Sequence, residues 1–209
     1  MIYTRDLTIN YKGGKQLTFK DMHIEKGQQW LLKGHSGTGK TTLLHMLSGI
    51  LSPSAGTISI DNVIINQLSQ AQQDQFRATS IGLIFQKNLF ISSINMYNNL
   101  VIGKKLAGHA IDKTTILQLT DELGISALID KMPHELSQGE QQRFSIARAL
   151  VNEPKVILAD EPTSSLDDTN CQRFINSISK LCDQHAITLL IATHDNRFNE
   201  QFKNAIQLG

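Results

Sequence analysis

Two hydrophobic rhythms divide this chain. In Leu7-Thr8-Ile9-Asn10-Tyr11 and Thr57-Ile58-Ser59-Ile60-Asp61, apolar residues alternate with polar ones, the period of a strand with one exposed face. These stretches predict a small antiparallel sheet. Other runs are almost continuously apolar: Trp30-Leu31-Leu32, Ile81-Gly82-Leu83-Ile84-Phe85, Val156-Ile157-Leu158-Ala159 and Ile187-Thr188-Leu189-Leu190-Ile191-Ala192. Such runs fit parallel strands covered by helices on both faces. Between Phe85 and Val156 the period becomes helical, with one helix ending at Gly124 and another starting at Ser137. The pattern predicts an α/β fold with a mainly parallel sheet flanked by helices, an antiparallel β portion and a helical insertion. A single domain spans residues 1–209, with the α/β core at about 1–86 and 153–209 and the helical part at about 87–152.

Composition narrows the class. With 209 residues and 40% hydrophobic content, the chain can bury one sizeable core and is short for two. A net charge of +1 supplies no bulk field for nucleic acid, and no nucleic-acid partner is expected. No apolar run reaches the ~18 residues of a membrane span. The start, Met1-Ile2-Tyr3-Thr4-Arg5-Asp6, lacks the apolar core of a secretory signal. Cys171 and Cys182, eleven apart in one predicted helix, match no metal motif and read as reduced thiols of a cytosolic protein.

The chemistry begins at Gly34-His35-Ser36-Gly37-Thr38-Gly39-Lys40-Thr41, which follows an apolar strand and opens a helical pattern over Thr41–Leu47. Strand, glycine-rich loop and helix in that order form the context of a phosphate-binding loop. Gly34, Gly37 and Gly39 let backbone N–H groups converge on phosphate oxygens, and the helix N-terminus adds partial positive charge. Lys40 is placed to reach the β- and γ-phosphates, and the Thr41 hydroxyl to ligate Mg²⁺. The whole stretch through Thr42 is the nucleotide-binding candidate, with His35 at an exposed loop position.

A second acidic feature closes the apolar strand at Val156: Asp160 and Glu161 stand at its end. Ligands of open α/β sheets bind beyond the strand ends. Asp160 is thus a candidate Mg²⁺ ligand, and Glu161 a candidate general base that polarises the attacking water.

Between these features lies Leu136-Ser137-Gln138-Gly139-Glu140-Gln141. Ser137 and Glu140 fit a capping box, with an amphipathic helix carrying Phe144, Ala147, Leu150 and Val151 behind them. A helix tip of this kind also favours an anion.

Loop, acidic strand end and this peptide together resemble the ATP-binding cassette (ABC) ATPases over nearly the whole chain. In that family the peptide is the signature that completes the nucleotide site of a partner subunit. The resemblance therefore implies an ATPase that is a homodimer or a paired ABC subunit, using ATP and Mg²⁺ in two composite sites that include Ser137 and Gly139. It also assigns Gln86 to Mg²⁺ and water sensing and His194 to a switch contacting the γ-phosphate. Tyr11, 23 residues before Gly34, resembles the aromatic residue that stacks on adenine, with Tyr3 as the competitor. Residues Glu161 to Asp167 resemble the acidic motif running into the dimer-contact loop. Gln138 and Glu140 depart from the usual glycine and glutamine of the signature, and no catalytic position is missing.

With no spanning helix expected, transport requires a separate integral-membrane permease, and the chain is expected on the cytoplasmic face of the membrane. The apolar segment Lys87–Ile94 either lines the groove that receives a permease helix or packs inside the helical part. Ile81–Gln86 with Asn88-Leu89 and Asn98-Asn99-Leu100 looks closest to the branch of lipoprotein-release and macrolide-export ATPases and their cell-division relative. The alternative to a transporter is an ABC ATPase of a non-transport machine such as a cell-division complex.

Overall fold

In the computed structural model, which describes residues 1–11 and 13–209, the two rhythms become two sheets. The strands are β1 (Ile2–Asn10), β2 (Gln16–Thr18), β3 (Met22–Ile24), β4 (Gln29–Lys33), β5 (Ala55–Ile60), β6 (Val63–Ile64), β7 (Ile81–Ile84), β8 (Val156–Asp160), β9 (Thr188–Ala192) and β10 (Asn204–Gln207). The helices are α1 (Lys40–Leu47), α2 (Gln70–Ser80), α3 (Met96–Leu106), α4 (Lys113–Glu122), α5 (Gln138–Leu150) and α6 (Asp168–Gln184).

The alternating stretches build an antiparallel sheet in the order β2-β1-β5-β6, with β3 pairing the first half of β1. Along β1 the buried face holds Ile2 and Thr4, then Leu7 and Ile9, so its parity changes midway. A register shift between Arg5 and Thr8 accounts for the change. One extra residue in a strand reverses which side chains face inward, and this bulge keeps both halves of β1 packed on the core.

The continuously apolar runs build a wholly parallel sheet in the order β10-β4-β9-β8-β7. Successive residues go to opposite faces. Leu31, Ile157 and Leu189 join the core beneath α3, α5 and α6. Leu32, Leu158 and Leu190 join the core shared with α1 and the antiparallel sheet. Each such side chain, 0–1% exposed, contributes about 1.5–3 kcal/mol relative to leaving it in water. Because all five strands run the same way, the residues following β4, β7, β8 and β9 emerge along one edge, where such sheets bind ligands.

The helical insertion follows the expected punctuation. Gly124, at φ +64°, stops the chain just past α4, and Ser137 caps α5. Two elements are not visible in the hydrophobic pattern. Helix α2 buries only Ser80 and so carries almost no apolar stripe, although Ser69 and Gln72 form its capping box. Strand β10 is a half-exposed edge strand. Cys171 and Cys182 are buried unpaired thiols on α6, and burial pushes the Cys182 thiol up to about 12.

The apolar segment after Gln86 divides. Phe90 packs against the core, with the Arg148 guanidinium 4.9 Å from its ring centre. Leu89 and Ile91 stand 58% and 44% exposed. Among the described residues, no helix is long and apolar enough to cross a membrane.

Candidate functional site

The loop between β4 and α1 is shaped by its glycines and by its own lysine. Gly39 takes φ +99°, and a Cβ there would fall 3.1 Å from both Leu17 in β2 and Phe19 just after it. Only glycine combines that dihedral with so close a wall. Lys40 is buried, and its ammonium donates to the carbonyls of Gly34 at 2.7 Å and His35 at 3.3 Å. The Thr38 hydroxyl donates to His35 O at 2.9 Å. These bonds hold the turn against the start of α1, whose first N–H groups, like those of any helix, lack partners within it and suit an anion.

The acids at the end of β8 meet this loop from the side. Thr41 Oγ1 donates to Asp160 Oδ2 at 2.7 Å. The other oxygen, Asp160 Oδ1, is buried without a hydrogen-bond partner. Burial raises the Asp160 pKa, opposed by the Thr41 hydrogen bond and reinforced by the charge of Glu161.

Glu161 sits at φ +45°, a left-handed conformation costing about 1–3 kcal/mol for a residue with a side chain. Its N–H donates to Ala192 O at 2.8 Å, which anchors the turn to β9. Lys40 Nζ lies 3.5 Å from Glu161 Oε1. His194 Nδ1 lies 2.9 Å from the same oxygen, and the His194 N–H donates to Oε2 at 3.4 Å. A carboxylate can only accept, so the imidazole donates through Nδ1–H.

These groups border one cleft of about 600 Å³. His35, Ser36, Gly37, Gly39, Lys40, Thr41, Thr42, Gln86, Glu161 and His194 all line it. Tyr11 lines it as well, with its hydroxyl 2.6 Å from Thr42 Oγ1. Tyr3 instead stacks on His23, ring centres 4.4 Å apart, on the outer face of the antiparallel sheet. Gly34 and Thr38 support the loop from behind, and Asp160 sits behind Thr41. Sequence reasoning missed Lys15 and Leu17, which also line the cleft. The available signal was the paired Gly13-Gly14: a Tyr11 N–H to Lys15 O bond of 2.8 Å brings the chain back beside Tyr11.

Ser137 and Gly139 are not brought to that cleft. The capping box closes on itself. The Ser137 N–H and hydroxyl both donate to Glu140 Oε2 at 2.8 Å, and the Glu140 N–H donates to Ser137 Oγ at 3.4 Å. The Ser137 hydroxyl, then its N–H, lower the Glu140 pKa. Gly139 faces the start of α6, where a Cβ would fall 2.8 Å from Asn170 Oδ1. The solvent-facing tip of α5 thus carries the signature peptide away from the subunit's own phosphate loop.

The donors around Thr41 suit Mg²⁺. A hydroxyl beside a buried carboxylate with one unused oxygen is hard, anionic and too small to cage a cation alone. Mg²⁺ characteristically takes one or two carboxylates together with substrate phosphates and water.

A parallel sheet with a phosphate loop after one strand, acids after another and a separate capped signature helix defines an ATP-binding cassette. The family model described as ABC transporter matches residues 17–164, and the chain belongs to that family. It is an ATPase. The lipoprotein-releasing system ATP-binding protein LolD of Syntrophotalea carbinolica is 37% identical over 87% of this chain and 81% of its own. The bacitracin export ATP-binding protein BceA of Halalkalibacterium halodurans is 36% identical over 84% of this chain and 70% of its own. The dimeric ADP- and phosphate-bound ATP-binding cassette MJ0796 superposes with a TM-score of 0.90 at 28% identity, covering 100% of this chain and 94% of that one. The resemblance to the lipoprotein-release branch is thereby borne out.

Proposed function

We propose that two copies of this subunit face each other around two ATP molecules and drive a separate integral-membrane permease from its cytoplasmic face. The observation that carries the reading is the split in the site. One cleft gathers Lys40, Thr41, Gln86, Glu161 and His194, while Ser137 and Gly139 form an anion-favouring tip outside it. Each ATP is then held by one subunit's loop and closed by the other subunit's tip. The dimeric cassette with ADP and phosphate supports this arrangement.

Within the cleft, Tyr11 stacks on the base and the loop N–H groups bind the phosphates. Lys40 moves its hydrogen bonds from the Gly34 and His35 carbonyls to the β- and γ-phosphates. Glu161, released from Lys40, takes a proton from the water that attacks the γ-phosphate, and His194 orients that carboxylate and meets the γ-phosphate. Thr41 and Asp160, with Gln86, would hold Mg²⁺, which supplies charge neutralisation at the phosphate oxygens. Gln86 follows β7 and precedes the exposed Leu89, so it stands between the nucleotide and the outer surface.

The surface beside Gln86 fits a permease helix. A groove of about 370 Å³ is lined by Arg77, Phe85, Leu89, Leu106 and Asn152, and Leu106 is 75% exposed. Arg148, which also lines the groove, stacks on Phe90.

The test is Glu161→Gln. Loss of the base is expected to lower ATP turnover on the order of a hundredfold to ten-thousandfold, while ATP accumulates in a stable dimer seen by size exclusion. A variant with wild-type turnover would falsify the assignment of the base.

A further inference from the structure

Arg197, outside every motif described above, ties the switch segment to the dimer-contact loop. Its Nε donates to both oxygens of Asp195 at 3.0 and 2.8 Å, and one terminal nitrogen adds a 2.6 Å bond to Oδ2. The other terminal nitrogen reaches across to Leu166 O at 3.2 Å and Asp168 Oδ1 at 2.8 Å. A longer bond of 3.4 Å goes to Thr163 O. Asp195 also accepts from the Thr163 hydroxyl at 3.1 Å. One planar guanidinium therefore joins residues 163–168, which follow Glu161, to the residue after His194. A fork of five fixed donors suits this bridging, whereas an ammonium cannot span these acceptors.

The connection continues to the signature tip. Asp167 caps α6 and accepts from Asn170 Nδ2 at 2.6 Å. Asn170 Oδ1 in turn borders Gly139 so closely, 2.8 Å from where a Cβ would stand, that any side chain there would have to push Asn170 aside. His194 contacts Glu161 in the subunit's own cleft, and Gly139 belongs to the tip that serves the opposite subunit.

We infer that Arg197 is a positioning residue that couples the two composite ATP sites, by holding a subunit's His194 segment and its own signature tip in one fixed geometry. The inference rests on the composite-site reading above. Occupancy of one cleft, sensed at His194, then sets the angle at which the tip is offered to the other.

The experiment measures ATPase rate against ATP concentration for wild type, Arg197→Ala and Arg197→Lys. Monomer binding of a fluorescent ATP analogue and the melting temperature are followed in parallel. Arg197→Ala is expected to lower kcat on the order of ten- to a hundredfold and bring the Hill coefficient to one, with single-subunit nucleotide affinity unchanged. Arg197→Lys, which keeps the charge and the fold, should recover the melting temperature but not the cooperativity. If both variants keep the wild-type Hill coefficient and kcat at a temperature where they are folded, Arg197 is structural only and the inference falls. If wild type itself hydrolyses at a rate per subunit independent of protein concentration, and Glu161→Gln forms no dimer, the composite-site reading fails and takes this inference with it.

Discussion

The cleft and the signature tip are built by opposite constructions. The cleft is assembled from segments far apart in sequence: Lys40 meets Glu161, Thr41 meets Asp160, and Glu161 meets His194. The tip is built from four consecutive residues whose bonds close within Ser137–Glu140. The first construction depends on the sheet to bring its parts together. The second needs only a helix start, and it stays formed wherever the helix is carried. A site divided between subunits gains from that division of labour, because the part delivered across an interface is already shaped before it arrives.

The contrast breaks most sharply at Gly139. In Gly139→Val the side chain must displace Asn170, so the tip shifts while the cleft stays intact. Turnover is expected to fall on the order of a hundredfold, with nucleotide binding to the single subunit unchanged by fluorescence titration. Equal losses in both measurements would mean that the tip and the cleft are not separate devices.

A smaller change sharpens the view of the tip. The Glu140 carboxylate is held ionised by Ser137 and engages the hydroxyl proton that a phosphate would receive. Glu140→Gln keeps the capping box and removes the competing charge. Half-maximal ATP-dependent dimerisation should then occur at about two- to fivefold lower ATP, while the helix loses some of its favourable dipole interaction. Dimer formation followed by light scattering, with thermal unfolding alongside, separates the two effects. A weaker dimer would show that the carboxylate helps closure.

The smallest expected effect lies in the cleft. Burial, ahead of the neighbouring charge of Glu161, raises the Asp160 pKa above 3.8. A raised carboxyl pKa means that the stabilising, protonated form is fully present below about 3.8 and lost as pH rises through the folded value. At neutral pH, ionised Asp160 therefore costs stability when Mg²⁺ and nucleotide are withheld. Asp160→Asn should melt higher than wild type at pH 7 without these ligands, the gain shrinking as pH falls toward 4. A lower melting temperature at pH 7 would mean that the Thr41 bond outweighs burial.

The same contrast explains what could be read before the structure. Ser137 and Glu140 lie three residues apart, so their bond is written locally. The phosphate loop was legible because strand, glycines and helix are contiguous, and Asp160 and Glu161 because they end an apolar run. Placement of residues distant in the chain was not legible. Tyr3 and Tyr11 were both candidates for the base until the register of β1 put one on the outer face and the other in the cleft. Leu89 and Phe90 shared one apolar segment, and only the folded chain shows Leu89 exposed and Phe90 packed, half-buried, between the core and Arg148. Arg197 carried no signal, since its acceptors are scattered from Thr163 to Asp195. Helix α2 escaped because a largely exposed helix has no stripe to read.

The parallel sheet places β9 between β4 and β8, so the strand leading to His194 separates the phosphate loop from the acids. Two strand spacings, about 10 Å in all, span that gap, and they are set by backbone hydrogen bonds rather than by side-chain size. Core side chains can therefore change in size without altering the spacing between loop and acids. Such a scaffold lets the surface that meets a permease diversify while the chemistry stays in register.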